Sequence, residues 1–489
     1  MIKNIILKLH RILGSLMSLI FVIWFISGFV MIFSGFPHAN RSEITNNLQT
    51  IDVTDSIKQF PLITYPKAKD IKLYKIGGQS VYSFNTSNGR HIIDSYSYSA
   101  VDSITRQAAD SVIATIYNKP VRYTETIEIQ DQWIPWSHFS DRLPATIYHL
   151  DDEDDSRIYI SMVTGDIIQE TTSYNRWMAR VGAIPHWFYF KSLRLKKGLW
   201  KDVVIWISAI GVIMCVTGII IGLVRYTVRR RGRKRAGTPY KKRWYRIHHI
   251  VGLVFGLFTF TFVFSGMMSL ADVPEWISPV KNKTDYRLEW NGNSIDASEY
   301  KLSVSDLINS YNGSNIKMVE WNTVLGEPCY YVYTHNNKYP LIINATNSSG
   351  ELSVINQEVI DRQFKTVFAE DVKRVEILTE SDNYYGRYDG AEYPITKVYM
   401  NDADRSWLYI NNRTAKARYV INKNSRIRRW VYNALHSFDL KVLNKHNWLR
   451  ITLLIIVSIG GLIVSISGVV LSARYIKRRF RNRTPGGIN

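Results

Sequence analysis

The chain has 489 residues, a formal charge of +21 and a mean hydropathy of -0.13, values that taken alone suit a basic soluble protein. Its only two cysteines, Cys215 and Cys329, exclude a disulfide-stapled fold. No phosphate-binding loop, dinucleotide fingerprint, zinc motif or catalytic triad stands out.

The mean hides an uneven distribution. Four runs carry no charged residue: Ile12–Phe33, Val203–Val224, Ile250–Ala271 and Ile451–Ala473. About 20 apolar residues cross the hydrocarbon of a bilayer, so each run predicts a transmembrane helix. The first is longer than the apolar core of a signal peptide and lacks a small-residue cleavage site after Phe33, so it reads as a retained anchor. The chain therefore divides into an N-terminus with helix 1 (1–34), a polar insert (35–199), helix 2 (200–224), a basic loop (225–246), helix 3 (247–271), a second polar insert (272–448), helix 4 (449–473) and a basic tail (474–489).

Basic charge concentrates in one set of segments. Lys3, Lys8 and Arg11 begin the chain, Arg225–Arg246 has eleven basic residues and no acidic one, and six basic residues from Arg474 to Arg483 end it. Four crossings place these segments on one side, and positive charge marks the cytoplasmic face. Both termini are then cytoplasmic, the basic residues contact membrane lipid, and no nucleic acid is needed to explain the charge. Short loops and the uncleaved anchor favour a bacterial inner membrane with both inserts in the periplasm.

The chain repeats itself. Leu143 to Ile160 aligns without gaps on Tyr393 to Ile410, and the same offset of 250 carries Arg176 onto Arg426, His186 onto His436 and Gly218 onto Gly468. An offset of 238 carries His10 onto His248, Gly14 onto Gly252 and Ser27-Gly28 onto Ser265-Gly266. The expected architecture is a four-helix membrane core of two tandem helix pairs in parallel orientation, with two α+β outer domains. Within the inserts, apolar periodicity predicts a helix over Ala100–Tyr117, and Arg157–Val163 and Ser406–Ile410 read as strands.

The two offsets single out four of eleven histidines. His10 and His248 open helices 1 and 3; His186 and His436 precede helices 2 and 4. Each membrane face thus receives one histidine from each copy, the arrangement that bis-histidine ligation of haem iron requires. Gly14 and Gly252 lie four residues after His10 and His248, on the same helix face, and are expected to give a macrocycle bare backbone. Arg11, Lys8, Arg243 and Arg246 on one side, and Arg176, Lys191, Arg426 and Lys441 on the other, are candidate partners for propionates. His249, at the place of Arg11, is an alternative to His248, and His446 an alternative to His436. The acidic run Asp151–Asp155, the loop histidines His138 and His149, and the aromatic stretches Trp133–Phe139 and Tyr384–Tyr388 carry weaker signals, read as a solvated turn and sheet caps.

Leu9-His10-Arg11-Ile12-Leu13-Gly14 and Ile247-His248-His249-Ile250-Val251-Gly252, each followed by a Ser-Gly at the far end of its span, resemble the PepSY-associated transmembrane family. So do Asp131-Gln132-Trp133, Leu143-Pro144, the strand and turn from Tyr159 to Gly165, and Pro185-His186-Trp187 before Leu199-Trp200. The second copy is looser, with Thr414-Ala415 for Thr-Gly and His249 for arginine. The resemblance implies PepSY-like periplasmic domains and, by analogy with the ferric-siderophore reductases of the family, two b-type haems on His10/His248 and His186/His436. It further implies one-electron transfer from a cytoplasmic reductant or quinol to a ferric siderophore or other ferric chelate. The alternatives are a cofactor-free PepSY-type regulatory or binding protein and a transporter component. The first gains nothing from the mirrored histidines, and against the second the spans hold no charged coupling residue.

Overall fold

The computed structural model describes residues 1–489 apart from 40–44, 46–47, 102, 233–236, 272–280, 282–283, 292–298, 312, 325, 336, 338, 353–356, 369–370, 386–391 and 482–489. Parts of the basic loop, of the Tyr384–Tyr388 stretch and of the C-terminal tail, including Arg483, lie outside the described residues. The chain forms two compact units. One comprises Met1–Phe36, Asn175–Pro279 and Asn424–Asn489, the other Pro37–Tyr174 and Val280–Lys423.

The first unit is helical. Four helices are long and apolar enough to cross a membrane: Ile2–Met31, Lys197–Tyr226, Arg243–Leu270 and Asn447–Arg478. They cover the four uncharged runs apart from Ile32, Phe33 and Ala271 at two of the ends, and each reaches into at least one charged flank. Exposed Leu16, Leu19, Ile23, Trp206, Val254, Leu257 and Ile463 leave these helices apolar on their outer faces too, as a lipid-facing bundle requires and a water-facing one does not. The first helix packs against the second and fourth, and the third against the same two. Small residues make the close approaches: at Gly460 and Gly461 of the fourth helix any Cβ would run into the rings of Phe255 and Phe25.

The second unit is built from sheets. Strands β1 (Lys69–Ile76), β2 (Gln79–Thr86) and β3 (Gly89–Asp94) come from the first insert. Next come β4 (Val121–Ile127), β5 (Ala145–Leu150), β6 (Arg157–Ser161) and β7 (Ile167–Thr171). The second insert repeats the series with β8 (Ile316–Val324), β9 (Glu327–Thr334), β10 (Leu341–Asn344), β11 (Val372–Leu378), β12 (Ile395–Met400), β13 (Trp407–Asn411) and β14 (Ala417–Ile421). Two four-stranded antiparallel sheets, β4-β5-β6-β7 and β11-β12-β13-β14, have the same order. Their registers also agree, Ile147 facing Tyr159 and Lys397 facing Tyr409, with a shift after Tyr159 and after Tyr409.

The inserts were expected as two separate domains, 35–199 and 272–448. Instead β1 pairs with β8, Leu73 opposite Val319, and joins them in one six-stranded sheet of order β10-β9-β8-β1-β2-β3. Burial drives the union: Ile71, Leu73, Tyr82 and Phe84 share one core with Val319, Trp321, Tyr330 and Val332. Joining the two three-stranded halves puts both apolar faces into that one core. Residues 175–199 and 424–448, placed with the inserts by hydropathy, belong to the helical unit. The helix predicted over Ala100–Tyr117 begins only at Arg106, where the Thr105 hydroxyl caps the Ala108 N–H.

The acidic run is a turn tied down by ion pairs. Asp152 accepts from Lys119 and the Ser156 N–H, and Asp151 pairs with Arg122. Asp131 and Asp382 anchor the aromatic loops. Asp131 accepts from the Trp133 and Ile134 N–H groups and the Tyr159 hydroxyl; Asp382 accepts from those of Tyr384 and Tyr385, from Lys397 and from the Tyr409 hydroxyl. His149 is buried, stacked on Tyr123 and bonded to Glu125. His138 lies on a short 3-10 helix, stacked on Trp136.

Candidate functional site

The four histidines matched by the two sequence offsets come together in two pairs inside the helical unit. His10 of the first spanning helix and His248 of the third have ring centres 6.3 Å apart. His186, on the short helix Ala183–Trp187, and His436, on Leu435–Ser437, have centres 6.0 Å apart. At about 1.5 Å rise per residue, the levels of His10 and Ser27, which touches His186, differ by about 25 Å. The pairs therefore stand near opposite ends of the apolar bundle.

Every one of the four rings is held the same way. The Nδ1 of His10 lies 3.1 Å from the Met214 carbonyl and 3.3 Å from the Thr217 hydroxyl. His248 Nδ1 lies 3.2 Å from the Val464 carbonyl and 2.9 Å from Ser467. His186 Nδ1 lies 3.2 Å from both the Trp24 carbonyl and Ser27, and His436 Nδ1 lies 3.0 Å from both the Phe262 carbonyl and Ser265. A carbonyl only accepts, so Nδ1 carries the proton and Nε2 the lone pair. Among the described residues none bonds to the Nε2 of any of the four.

This geometry suits a shared metal. An imidazole–metal bond is about 2 Å and a ring centre lies about 1 Å behind its nitrogen, so two rings on one ion have centres about 6 Å apart. Both pairs meet that spacing. An Nδ1–H given to a backbone carbonyl, with Nε2 left bare, is the tautomer in which imidazole ligates through Nε2. A buried donor is also left over beside the His186–His436 pair: the Trp24 indole N–H has no hydrogen-bond partner among the described residues.

The other candidates separate. Beside Gly14 and Gly252 an added Cβ would meet nothing within 4 Å, so the flank of the His10–His248 pair is open there. The glycines that touch the imidazoles are four others. A Cβ at Gly218 would lie 2.8 Å from the Cε1 of His10, at Gly28 3.1 Å from that of His186, at Gly266 3.5 Å from that of His436, and at Gly468 3.7 Å from that of His248. Sequence reasoning noted these glycines only as matched positions. The signal was nonetheless present, since each spanning helix contains a single Ser-Gly or Thr-Gly dipeptide.

His249 does not join the His10–His248 pair: it is buried with Nε2 3.1 Å from the Gly222 carbonyl and its ring edge-on to Tyr240. His446 is exposed at the end of the helix Lys441–Lys445, ten residues from His436. Arg11 is exposed, Arg176 buried and Arg426 half-buried. One feature of this region was not foreseen. Buried Arg429 donates to the Asp439 carbonyl at 2.5 Å and lies 3.4 Å from its carboxylate, closing the chain around His436. At the positions 250 residues earlier stand Ala179 and Tyr189, and the chain there breaks its helix at Gly182 instead, where a Cβ would lie 2.8 Å from the Met178 carbonyl. The segment before His436, with Tyr432 in place of that glycine, passes the same point through the π-helical turn Arg429–Ala434.

A model of the PepSY-associated TM region matches residues 7–291, more than half the chain. The chain belongs to this family. No curated protein matches it. The matched part of this PepSY-associated membrane protein contains His10, His186 and His248, three of the four paired histidines.

Proposed function

We propose that this family member is a di-haem electron-transfer protein of the bacterial inner membrane, a reductase of periplasmic ferric chelates such as siderophores. The observation that carries the reading is the pairing of His10 with His248 and of His186 with His436, each ring with Nδ1–H anchored and Nε2 bare. Its two halves are read as copies of one helix–insert–helix unit, with both termini and the basic loop in the cytoplasm. His10 and His248 would hold one b-type haem, His186 and His436 the other. Such a group supplies reversible one-electron redox chemistry, and two histidines on its iron leave no position for oxygen activation.

The chain's own part is to fix the ligands and exclude water. The bundle holds both pairs half-buried among apolar residues, with Phe21, Phe25 and Phe255 packed between their levels. Ferric iron in a siderophore is a hard ion held by oxygen donors, and one electron from a cytoplasmic reductant or quinol weakens that hold. No general acid or base is needed.

The test is a reoxidation assay. Purified protein in detergent, reduced under anaerobic conditions, is mixed with a panel of ferric siderophores and a ferrous-iron trap. Spectral reoxidation matched by one trapped ferrous ion per electron is the expected result. Reduced protein that stays reduced with every ferric chelate contradicts the substrate assignment.

A further inference from the structure

Four stretches in four different helices build the same seat. Trp24, Ser27 and Gly28 surround His186; Met214, Thr217 and Gly218 surround His10; Phe262, Ser265 and Gly266 surround His436; Val464, Ser467 and Gly468 surround His248. In each the carbonyl comes first, the hydroxyl three residues later and the glycine next. That spacing puts all three on one helix face, and the glycine leaves room for the ring edge.

The hydroxyl protons are already spent. Ser27 donates to the Trp24 carbonyl at 3.1 Å, Thr217 to that of Met214 at 2.8 Å, Ser265 to that of Phe262 at 3.0 Å and Ser467 to that of Val464 at 2.8 Å. Toward the imidazole each oxygen can therefore only accept, and Nδ1–H is shared between a carbonyl and a hydroxyl. Ser and Thr in apolar helices commonly bond back to the preceding turn for their own satisfaction. Here all four do so at one spacing while also facing a histidine from another helix.

We propose that Ser27, Thr217, Ser265 and Ser467 are positioning residues, second acceptors on Nδ1–H that aim Nε2 and strengthen it as a donor to iron. The inference rests on the di-haem reading. It assigns the control of each haem's potential to the helix facing its ligand rather than the one bearing it. A second acceptor pushes electron density onto the ring, which favours ferric over ferrous iron. Losing it should weaken that preference by up to about tenfold, equivalent to a rise in potential of up to about 59 mV for one electron.

The experiment is a spectroelectrochemical titration of the full chain in detergent, with haemin titrated into haem-stripped protein as a second readout. Ser27→Ala with Ser265→Ala should raise one of the two potentials and weaken one haem site. Thr217→Ala with Ser467→Ala should do the same to the other. Ser27→Thr and Thr217→Ser, which keep the hydroxyl, should restore wild-type values. Alanine variants with wild-type potentials and affinities, or with both haems displaced equally, overturn the inference. Wild-type protein that takes up no haem overturns the di-haem reading itself, a result distinct from either.

Discussion

At the scale of single residues, the four histidines are not equivalent to the other seven. His10, His186, His248 and His436 each give Nδ1–H away and keep Nε2 bare, whereas His249 uses Nε2 on the Gly222 carbonyl. Replacing His249 with Ala should therefore leave two haems per chain, while His248→Ala leaves one; pyridine haemochrome assays on both variants decide it. Asp382 makes a different prediction. Burial by itself would raise its carboxyl, but the Lys397 ammonium and the Tyr384 and Tyr385 N–H groups outweigh this and hold it below the usual range. A carboxyl lowered in the fold contributes stability that is present above about pH 4 and is lost as pH falls through its folded value. Asp382→Asn should destabilise the sheet unit by about 2 kcal/mol near neutral pH and flatten its acid dependence, measured by urea unfolding at a series of pH values. The histidines were legible because two repeat offsets picked them out. Their seats were not, because helical spacing tells which residues share a face and not which neighbour that face meets.

At the scale of elements, the same task is done twice with different means. Gly182 breaks the chain before His186, and a π-helical turn with the buried Arg429–Asp439 pair does so before His436. Removing one member of a buried pair costs about 3–5 kcal/mol, because the other charge stays buried. Arg429→Met should lower the unfolding temperature of the full chain and release the haem proposed at His186 and His436 more readily, read by haem loss on dilution. Changing both Arg429 and Asp439 to apolar residues should recover most of the stability. The four-stranded sheets were readable from strand alternation and local turns. The union of β1 with β8 was not, since nothing local to either strand names a partner in the other insert; burial of Leu73 against Val319 and Trp321 decides it.

At the scale of the whole molecule, hydropathy located the four helices that are long and apolar enough to cross a membrane. What it took for anchorage carries the paired histidines, and the helices stay close through contacts such as Phe25 on Gly461. Charge placement predicts the orientation. Cys215 and Cys329 are both buried, so single cysteines can be introduced on a quiet background. Asn88→Cys, in the exposed turn between β2 and β3, should react with an impermeant maleimide from the periplasm, and Lys241→Cys only after the membrane is opened; the reverse pattern would invert the topology. The central claim is two haems on two histidine pairs, and haem stoichiometry tests it most directly. Protein from haem-replete cells should carry two haems per chain with reduced spectra of six-coordinate iron, and His186→Ala should carry one. Colourless wild-type protein, or a His186→Ala variant that still binds two, would contradict it.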